Sequence, residues 1–501
     1  MTNNDLHDID IAASPRRSDR IVIVGGGPAG IHMAHLLKSR GYGKVTVLEA
    51  EDRVGGKSRT RVVDGYPHEL GACYLNFTYQ RLLDLLKELG RDDAVPVPPL
   101  LRTVARAGQE DPVPVLAWMQ QAMMETSPQP VASLMAGFIG AIGKYQAIYN
   151  EIHPAASFNL PAAALPSVSA VASQTVAEFF DNNSLEVLHT LFHLYNALNG
   201  YGVASHIPVY YGTYWTNPTV LGRMAAAAAG HVQAIESGLE GTRLSGMSML
   251  QGGFESIWRE LVERSAIDVR LESKVTRVVR SRELEPEGPP ITVHYIGAGT
   301  PKSMDCDFLI FAIPGRQALS VLESPAPHER DAFEHQIVSK LVTTLIEGPT
   351  RLAGHGLVYW PQRLDVADQI YAIREASVIL GGDRSGAGTE AYIVYQYYEN
   401  ADSFDAGRSL AGLNSFLADH ATGDTKIHER REWDYFPRFT SEAIRAGQPW
   451  SVIRNEGVLK TWFIGSSVCF ESVEAVLDFN HFIIERSARS VADTAGAART
   501  G

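Results

Sequence analysis

Residues 20–30 read RIVIVGGGPAG, and their reading decides the fold. Four apolar residues, Ile21 to Val24, run without a break into three glycines, and a further glycine follows at position 30. A short apolar run bounded by glycine reads as a buried strand. Gly30–Arg40 then has the apolar spacing of an amphipathic helix, and KVTVLE (Lys44–Glu49) is a second strand, closing a β-α-β unit. Within it Gly25, Gly27 and Gly30 form G-x-G-x-x-G. The first permits a tight turn, the second lets backbone approach pyrophosphate, and the third lets helix and strand pack closely. The phosphate then lies at the positive end of the helix. Glu49 falls 19 positions after Gly30, where an acid accepts hydrogen bonds from ribose hydroxyls and disfavours a 2′-phosphate. The loop predicts a dinucleotide site, but NAD, NADP and FAD all use it.

The bulk composition sets the frame around this unit. The chain has 501 residues, enough for roughly two to four domains, and is 45% apolar and 20% charged, as ordinary globular proteins are. A net charge of −13 argues against a nucleic-acid partner, which calls for a basic surplus. No window reaches the roughly 18 uninterrupted apolar residues of a membrane span. The richest, VASLMAGFIGAIG (Val131–Gly143), is too short and reads as a buried or substrate-facing helix. Cys73, Cys306 and Cys469 are too few and too scattered for a disulfide framework or a metal site, so buried thiols in a reducing cytoplasm are expected. Arg16 and Arg17 precede an apolar run, as in a twin-arginine signal, but that run is the strand feeding the glycine loop. Residues 1–17 are expected to be a polar, disordered leader.

Outward from the loop, QRLLDLLKELG (residues 80–90) repeats leucine at helical spacing and ends on glycine. A mostly helical, aromatic-rich stretch follows to about residue 244. Gln251–Arg264 reads as a helix, Val269–Ser281 as a strand pair and Asp307–Pro314 as a buried strand. Residues 335–450 read as strands and loops, with GGDRSGAG (Gly381–Gly388) a turn. Thr461–Ser467 is strand into loop, and a last helix starts near Val473. MAAAAAG (Met224–Gly230) is a good helix former with no assigned role. Nucleotide-type segments thus sit at the start, middle and end. The expected fold class is α/β: a discontinuous Rossmann-type dinucleotide domain (18–95, 245–330 and 451–501) with a mixed α+β substrate domain (96–244 and 331–450).

RVGGKSRT (Arg53–Thr60) adds a second glycine pair six residues past the acid, which the NAD fingerprint lacks. It resembles the second glycine motif of FAD enzymes in the amine oxidase and phytoene desaturase superfamily. HELGACYL (His68–Leu75), QGGFESIW, ESKVTRVV and DFLIFAIP resemble that superfamily's later segments, in the same order. The resemblance implies FAD as a resident cofactor. It carries cofactor contacts to Gly25, Gly27, Pro28, Ala29, Gly30, Glu49, Ala50, Arg53, Gly56, Lys57, Gly71 and Ala72, and to the backbone of Val275. Near the C-terminus, Gly465-Ser466 stands where the superfamily has glycine and an acid, so Ser466 is a weaker partner for the cofactor's linker. Glu474, Ala475 and Val476 resemble the start of the helix that points at the flavin's pyrimidine end.

Within the superfamily the chain resembles the bacterial polyenoic fatty acid isomerases, through GYGVASHIPVYY (Gly200–Tyr211), YFPRFTSEAIRAG (Tyr435–Gly447) and FIGSSVCFESVEAV (Phe463–Val476). The implied activity is the movement of a C=C bond in an apolar, polyunsaturated, fatty-acid-like small molecule, by hydride transfer to flavin and back. The rival is an FAD-dependent amine oxidase or desaturase-type oxidoreductase. For it, Lys340 in IVSKLVTTLIEG would be the desolvated lysine near the flavin's reactive nitrogen. Against it, Ser472 stands where amine oxidases place a cage tyrosine. A flavin-binding scaffold without turnover is a third reading. Tyr201 is a candidate catalytic residue beside Lys340. Arg102, Tyr210 and Tyr435 are candidate substrate contacts, within a cluster that includes Tyr195, Tyr211, Tyr214 and Trp215. Oligomeric state stays open.

Overall fold

The computed structural model describes residues 11–97, 102–105, 112–115, 117–118, 121, 131–152, 166–189, 192, 196, 199–222, 247–280, 291–381 and 390–497. Ile21–Val24 is buried along its whole length, as a central parallel strand must be. It pairs with Val45–Leu48 on one side and Phe308–Phe311 on the other, in register Ile21 to Val45 and Ile21 to Phe308. Asp268–Arg270 and Thr461–Phe463 extend this all-parallel sheet to five strands. The helix Pro28–Ser39 crosses between the first two strands, with Pro28 fitting its first turn. Gly30 shows why glycine is required there: a Cβ would lie 2.0 Å from the Gly25 carbonyl oxygen. The last helix, Val473–Ala497, packs on the first, and Asn480 Nδ2 donates to the Ala29 carbonyl at 2.8 Å. An antiparallel meander, Ser273–Val279, Ile291–Gly297 and Thr300–Cys306, links the middle strands.

A second, seven-stranded sheet faces the glycine segments. Its order is Lys426–Arg438, Ile337–Glu347, Ala391–Tyr398, Ile370–Arg374, Leu357–Tyr359, Arg102–Val104 and Val113–Pro114. This mixed sheet and the helical stretch around Val209–Trp215 form the opposite wall of the site. The fold is the α/β class expected, with a parallel dinucleotide-type sheet and a mixed α+β remainder.

Three expectations are corrected. Residues 11–17 are folded: Ile11 is buried, Ala12 N–H donates to the Glu456 carbonyl at 2.7 Å, and Trp462 Nε1 donates to the Ala13 carbonyl at 3.0 Å. The backbone carbonyls of this segment satisfy buried donors, which a charge-based reading cannot foresee. The described side chains of the helix Val131–Ile152 are neither all buried nor on the cavity. It buries a stripe of Phe138, Ala141, Tyr145 and Tyr149 and leaves Ile139 60% exposed. The region 335–450 also contains a real helix, Ala406–His420, whose Asp405 side chain accepts from Arg408 N–H as an N-cap. Residues 382–388 of the expected turn, Tyr195 and Met224–Gly230 lie outside the described residues.

Candidate active site

A cavity of about 680 Å³ runs from the glycine loop to the seven-stranded sheet. Gly25, Gly27, Pro28, Ala29, Glu49, Gly56, Lys57, Gly71 and Ala72 line one end, joined by Gly465, Ser466 and Val476. Gly27 caps the first helix without a side chain, so that helix presents bare N–H groups to the cavity. The two glycine motifs press together: a Cβ on Gly56, at φ +50°, would lie 3.0 Å from the Gly27 Cα. Glu49 accepts from Gly26 N–H at 2.5 Å and Glu51 N–H at 2.8 Å. Burial still raises its pKa, because desolvation outweighs these two bonds.

Other expected contacts do not reach the lining. Gly30 packs on the strand behind it, and Ala50 is exposed. Arg53 turns back onto its own loop, donating to the carbonyls of Gly56 at 2.7 Å and Ser58 at 3.2 Å, and pairs with Glu51 at 3.1 Å. These two carbonyls, that of Val54 and the Glu51 carboxylate hold it more tightly than an open cavity does. Val275 lies off the cavity on the meander, at a register shift in its pairing. Glu474 does not face the cavity either; its carboxylate accepts from Arg81 N–H and Leu82 N–H, both at 2.9 Å, capping the helix Gln80–Glu88. Burial raises its pKa to about 7. Ala475 is buried behind it. Ser472, where a cage tyrosine was sought, lines the cavity and accepts from Ala475 N–H at 3.1 Å, which makes it the N-cap of the last helix.

The opposite wall brings together residues from distant segments. Tyr201 and Tyr435 both line the cavity and stack, with ring centroids 5.9 Å apart and planes within 9°. Burial keeps the Tyr201 phenol neutral by raising its pKa. Its hydroxyl donates to the Glu471 carbonyl at 2.8 Å, and the Tyr435 hydroxyl donates to the Asn199 carbonyl at 2.7 Å. Tyr210 is buried against Tyr211 and Trp450, outside the lining, because its helix turns it into the core. Arg102 takes its place in the sheet beside Leu357, and its side chain lies outside the described residues. Lys340 lines the cavity but is not a free amine: Nζ donates to Asp434 Oδ1 at 2.5 Å.

Glu471 was not singled out by sequence reasoning, yet it ties the site together. Its Oε2 accepts from Lys57 Nζ at 2.7 Å and from Phe436 N–H at 3.0 Å. Phe436 has φ +47°, a left-handed conformation that is costly for a bulky residue, and this bond helps to hold it. Glu471 therefore joins the second glycine motif and a strand of the wall through its carboxylate, and Tyr201 through its backbone carbonyl. An acid just before a helix start was the available signal, but its partners lie up to 414 positions away.

The profile of the flavin containing amine oxidoreductases matches residues 28–345. The chain belongs to that family. Membership places it among flavin-dependent oxidoreductases. A polyenoic fatty acid isomerase from Ptilota filicina is 22% identical over 94% of this chain and 94% of its own. A putrescine oxidase from Kocuria rosea is 44% identical, over 14% of either chain. Among solved structures, the CLA-producing fatty acid isomerase from P. acnes superposes with a TM-score of 0.69 at 18% identity, covering 94% of this chain and 99% of that one. A putrescine oxidase bound to putrescine gives 0.59 at 16% identity, covering 95% and 99%. At such identities the structural likeness concerns the fold. No helix among the described residues is long and apolar enough to cross a membrane, and no described cluster of His, Cys, Asp or Glu could hold a metal ion.

Proposed function

We propose that this family member is an FAD-dependent isomerase that moves a C=C bond along an apolar, polyunsaturated, fatty-acid-like substrate by hydride abstraction and return. The observation that carries the reading is the cavity wall. Tyr79, Tyr201, Trp215, Leu341, Tyr371 and Tyr395 line it, and both lysines on it are already paired with carboxylates. A long hydrocarbon finds a matching surface there. The likeness to the Ptilota filicina isomerase along nearly the whole chain supports the same reading.

The residues present fit FAD. The bare helix end behind Gly27, the close approach of Gly56 and the Glu49 carboxylate form a cradle that a Cβ at Gly25 would fill, 2.7 Å from the Ala312 carbonyl oxygen. Gly25, Gly27, Pro28, Ala29, Glu49, Gly56 and Lys57 would hold the dinucleotide, with Gly71, Ala72, Gly465, Ser466 and Val476 toward the ring. When bound, FAD supplies a hydride acceptor that also returns the hydride. The aromatic wall keeps water from an allylic cation on the substrate. The Tyr201–Tyr435 stack, fixed at both hydroxyls, offers a rigid face against which the chain lies.

The test is anaerobic turnover of a polyunsaturated acid deuterated at the allylic carbon, without NADPH. The expected product has unchanged mass, with the label on a different carbon of the same molecule. A product lighter by two hydrogens, or turnover that stops without oxygen, overturns the isomerase and leaves the oxidase or desaturase reading.

A further inference from the structure

Arg374 ends the strand Ile370–Arg374 and is 1% exposed, one of the largest fully buried side chains. Its Nη2 donates to the Glu69 carbonyl oxygen, while among the described residues no nitrogen or oxygen acceptor meets Nε or Nη1. The Tyr74 and Tyr395 rings flank the guanidinium, with centroids 5.7 and 5.6 Å away. Both tyrosines line the cavity, as do Ala372, two residues back on the strand, and Leu357, opposite Arg374 in register. A buried guanidinium with two donors unmet costs several kcal/mol unless an anion meets it.

The described residues do not supply that anion. The Glu69 carboxylate is taken up by Phe254 N–H and the Thr60 hydroxyl, both at 2.8 Å, and burial raises its pKa to about 7. Burial also keeps the Cys73 thiol neutral, outweighing both the charge of the guanidinium and the hydrogen bond between the two side chains, so this weak acceptor brings no negative charge. We propose that Arg374 is the anchor for a substrate carboxylate, which reaches its unmet N–H groups between the Tyr74 and Tyr395 rings. The assignment rests on the isomerase reading for its substrate class and narrows that class to free acids. The planar fork of a guanidinium matches two carboxylate oxygens, and a neutral ester offers it much less. The guanidinium sits behind the two rings, so binding parts them. The register also sets Arg102, Leu357 and Arg374 in one row across three adjacent strands. Arg102 is therefore the natural control.

The experiment titrates the FAD-loaded protein with linoleic acid and with methyl linoleate, each below its aggregation limit, following the flavin absorption band. The wild type is expected to bind the acid at least ~30-fold more tightly than the ester. Arg374→Gln, which removes the charge and keeps a polar side chain, is expected to bring acid and ester within about threefold by weakening the acid alone. Arg374→Lys, which keeps the charge but loses the fork, should retain an acid preference between those two values. Because each reading is a ratio within one protein, partial unfolding does not imitate it, and the lysine variant decides if the glutamine variant fails to fold. Equal affinities in the wild type overturn the anchor. So does a full acid preference in the Arg374 variants, or one abolished only by Arg102→Gln. Acid selectivity that depends on Arg374, with a labelled acid returned unrearranged, would sink the isomerase and keep the anchor; acid and ester rearranged with equal affinity would do the reverse.

Discussion

Lys340 Nζ and Asp434 Oδ1 lie 2.5 Å apart, on two neighbouring strands whose register pairs these residues directly. The lysine is 15% exposed and also lies 5.5 Å from the Phe404 ring centroid. A lysine so held is a strand-to-strand tie at the cavity wall. Lys340→Met is accordingly expected to slow reoxidation of the reduced flavin in air by less than ~threefold, and to leave turnover of a polyunsaturated acid similarly unchanged. A slowing of tenfold or more, about 1.4 kcal/mol in barrier, would restore the oxidase role. Stopped-flow oxidation of the photoreduced protein reads this directly.

Gly30→Ala puts a Cβ 2.0 Å from the Gly25 carbonyl oxygen, where backbone must shift. The expected loss is more than about 3 kcal/mol, beyond ordinary overpacking, together with loss of bound flavin. Gly43→Ala meets nothing within 4 Å and serves as the control. Flavin-to-protein absorbance ratio and thermal melting check both. A Gly30→Ala protein as yellow and as stable as the control would contradict the dinucleotide loop.

Flavin attachment is expected to be non-covalent. Cys469 is buried, its Sγ donates to the Gly465 carbonyl at 3.2 Å, and burial raises its pKa, so it stays a neutral thiol of low reactivity. Cys73, which lines the cavity, is held neutral in the same way. Heat denaturation and ultrafiltration should release all the yellow colour. Colour left on the protein would mean a covalent bond, and loss of that retention in Cys469→Ser or Cys73→Ser would name the sulfur.

Glu474 sets a pH dependence whose sign can be worked out. Its folded pKa, about 7, lies above the ordinary 4.5, so the folded state holds more protons between these values. Stability therefore falls as pH rises through that window, by up to about 3 kcal/mol for this group. His68 and His481, lowered to about 4 by burial, act oppositely as pH rises from 4 to 6.5, and Glu69 acts with Glu474. The difference between Glu474→Gln and wild type isolates the one group. The variant's melting temperature relative to wild type should climb from pH 4.5 to 7 and level off above. A difference that is flat with pH would show that Glu474 titrates normally in the folded protein.

The β-α-β unit around the glycine loop was legible from local sequence alone. Ile21–Val24, the three glycines, the helix at Pro28 and the acid at Glu49 are neighbours along the chain, and local spacing with backbone sterics decides their conformation. The helix Ala406–His420 was missed, because the surrounding strand pattern masked the one local signal, Asp405 at its N-cap. Only the tertiary structure decided which charges meet. Lys340 finds Asp434 across 94 residues, Glu474 caps a helix 392 residues earlier, and Arg374 is walled in by Tyr74 and Tyr395. A side chain's charge state and availability depend on burial and on partners brought near by sheet register. Neither is a property of sequence neighbours, so a lysine that reads as a free base and an arginine that drew no notice exchange their importance once the chain is folded.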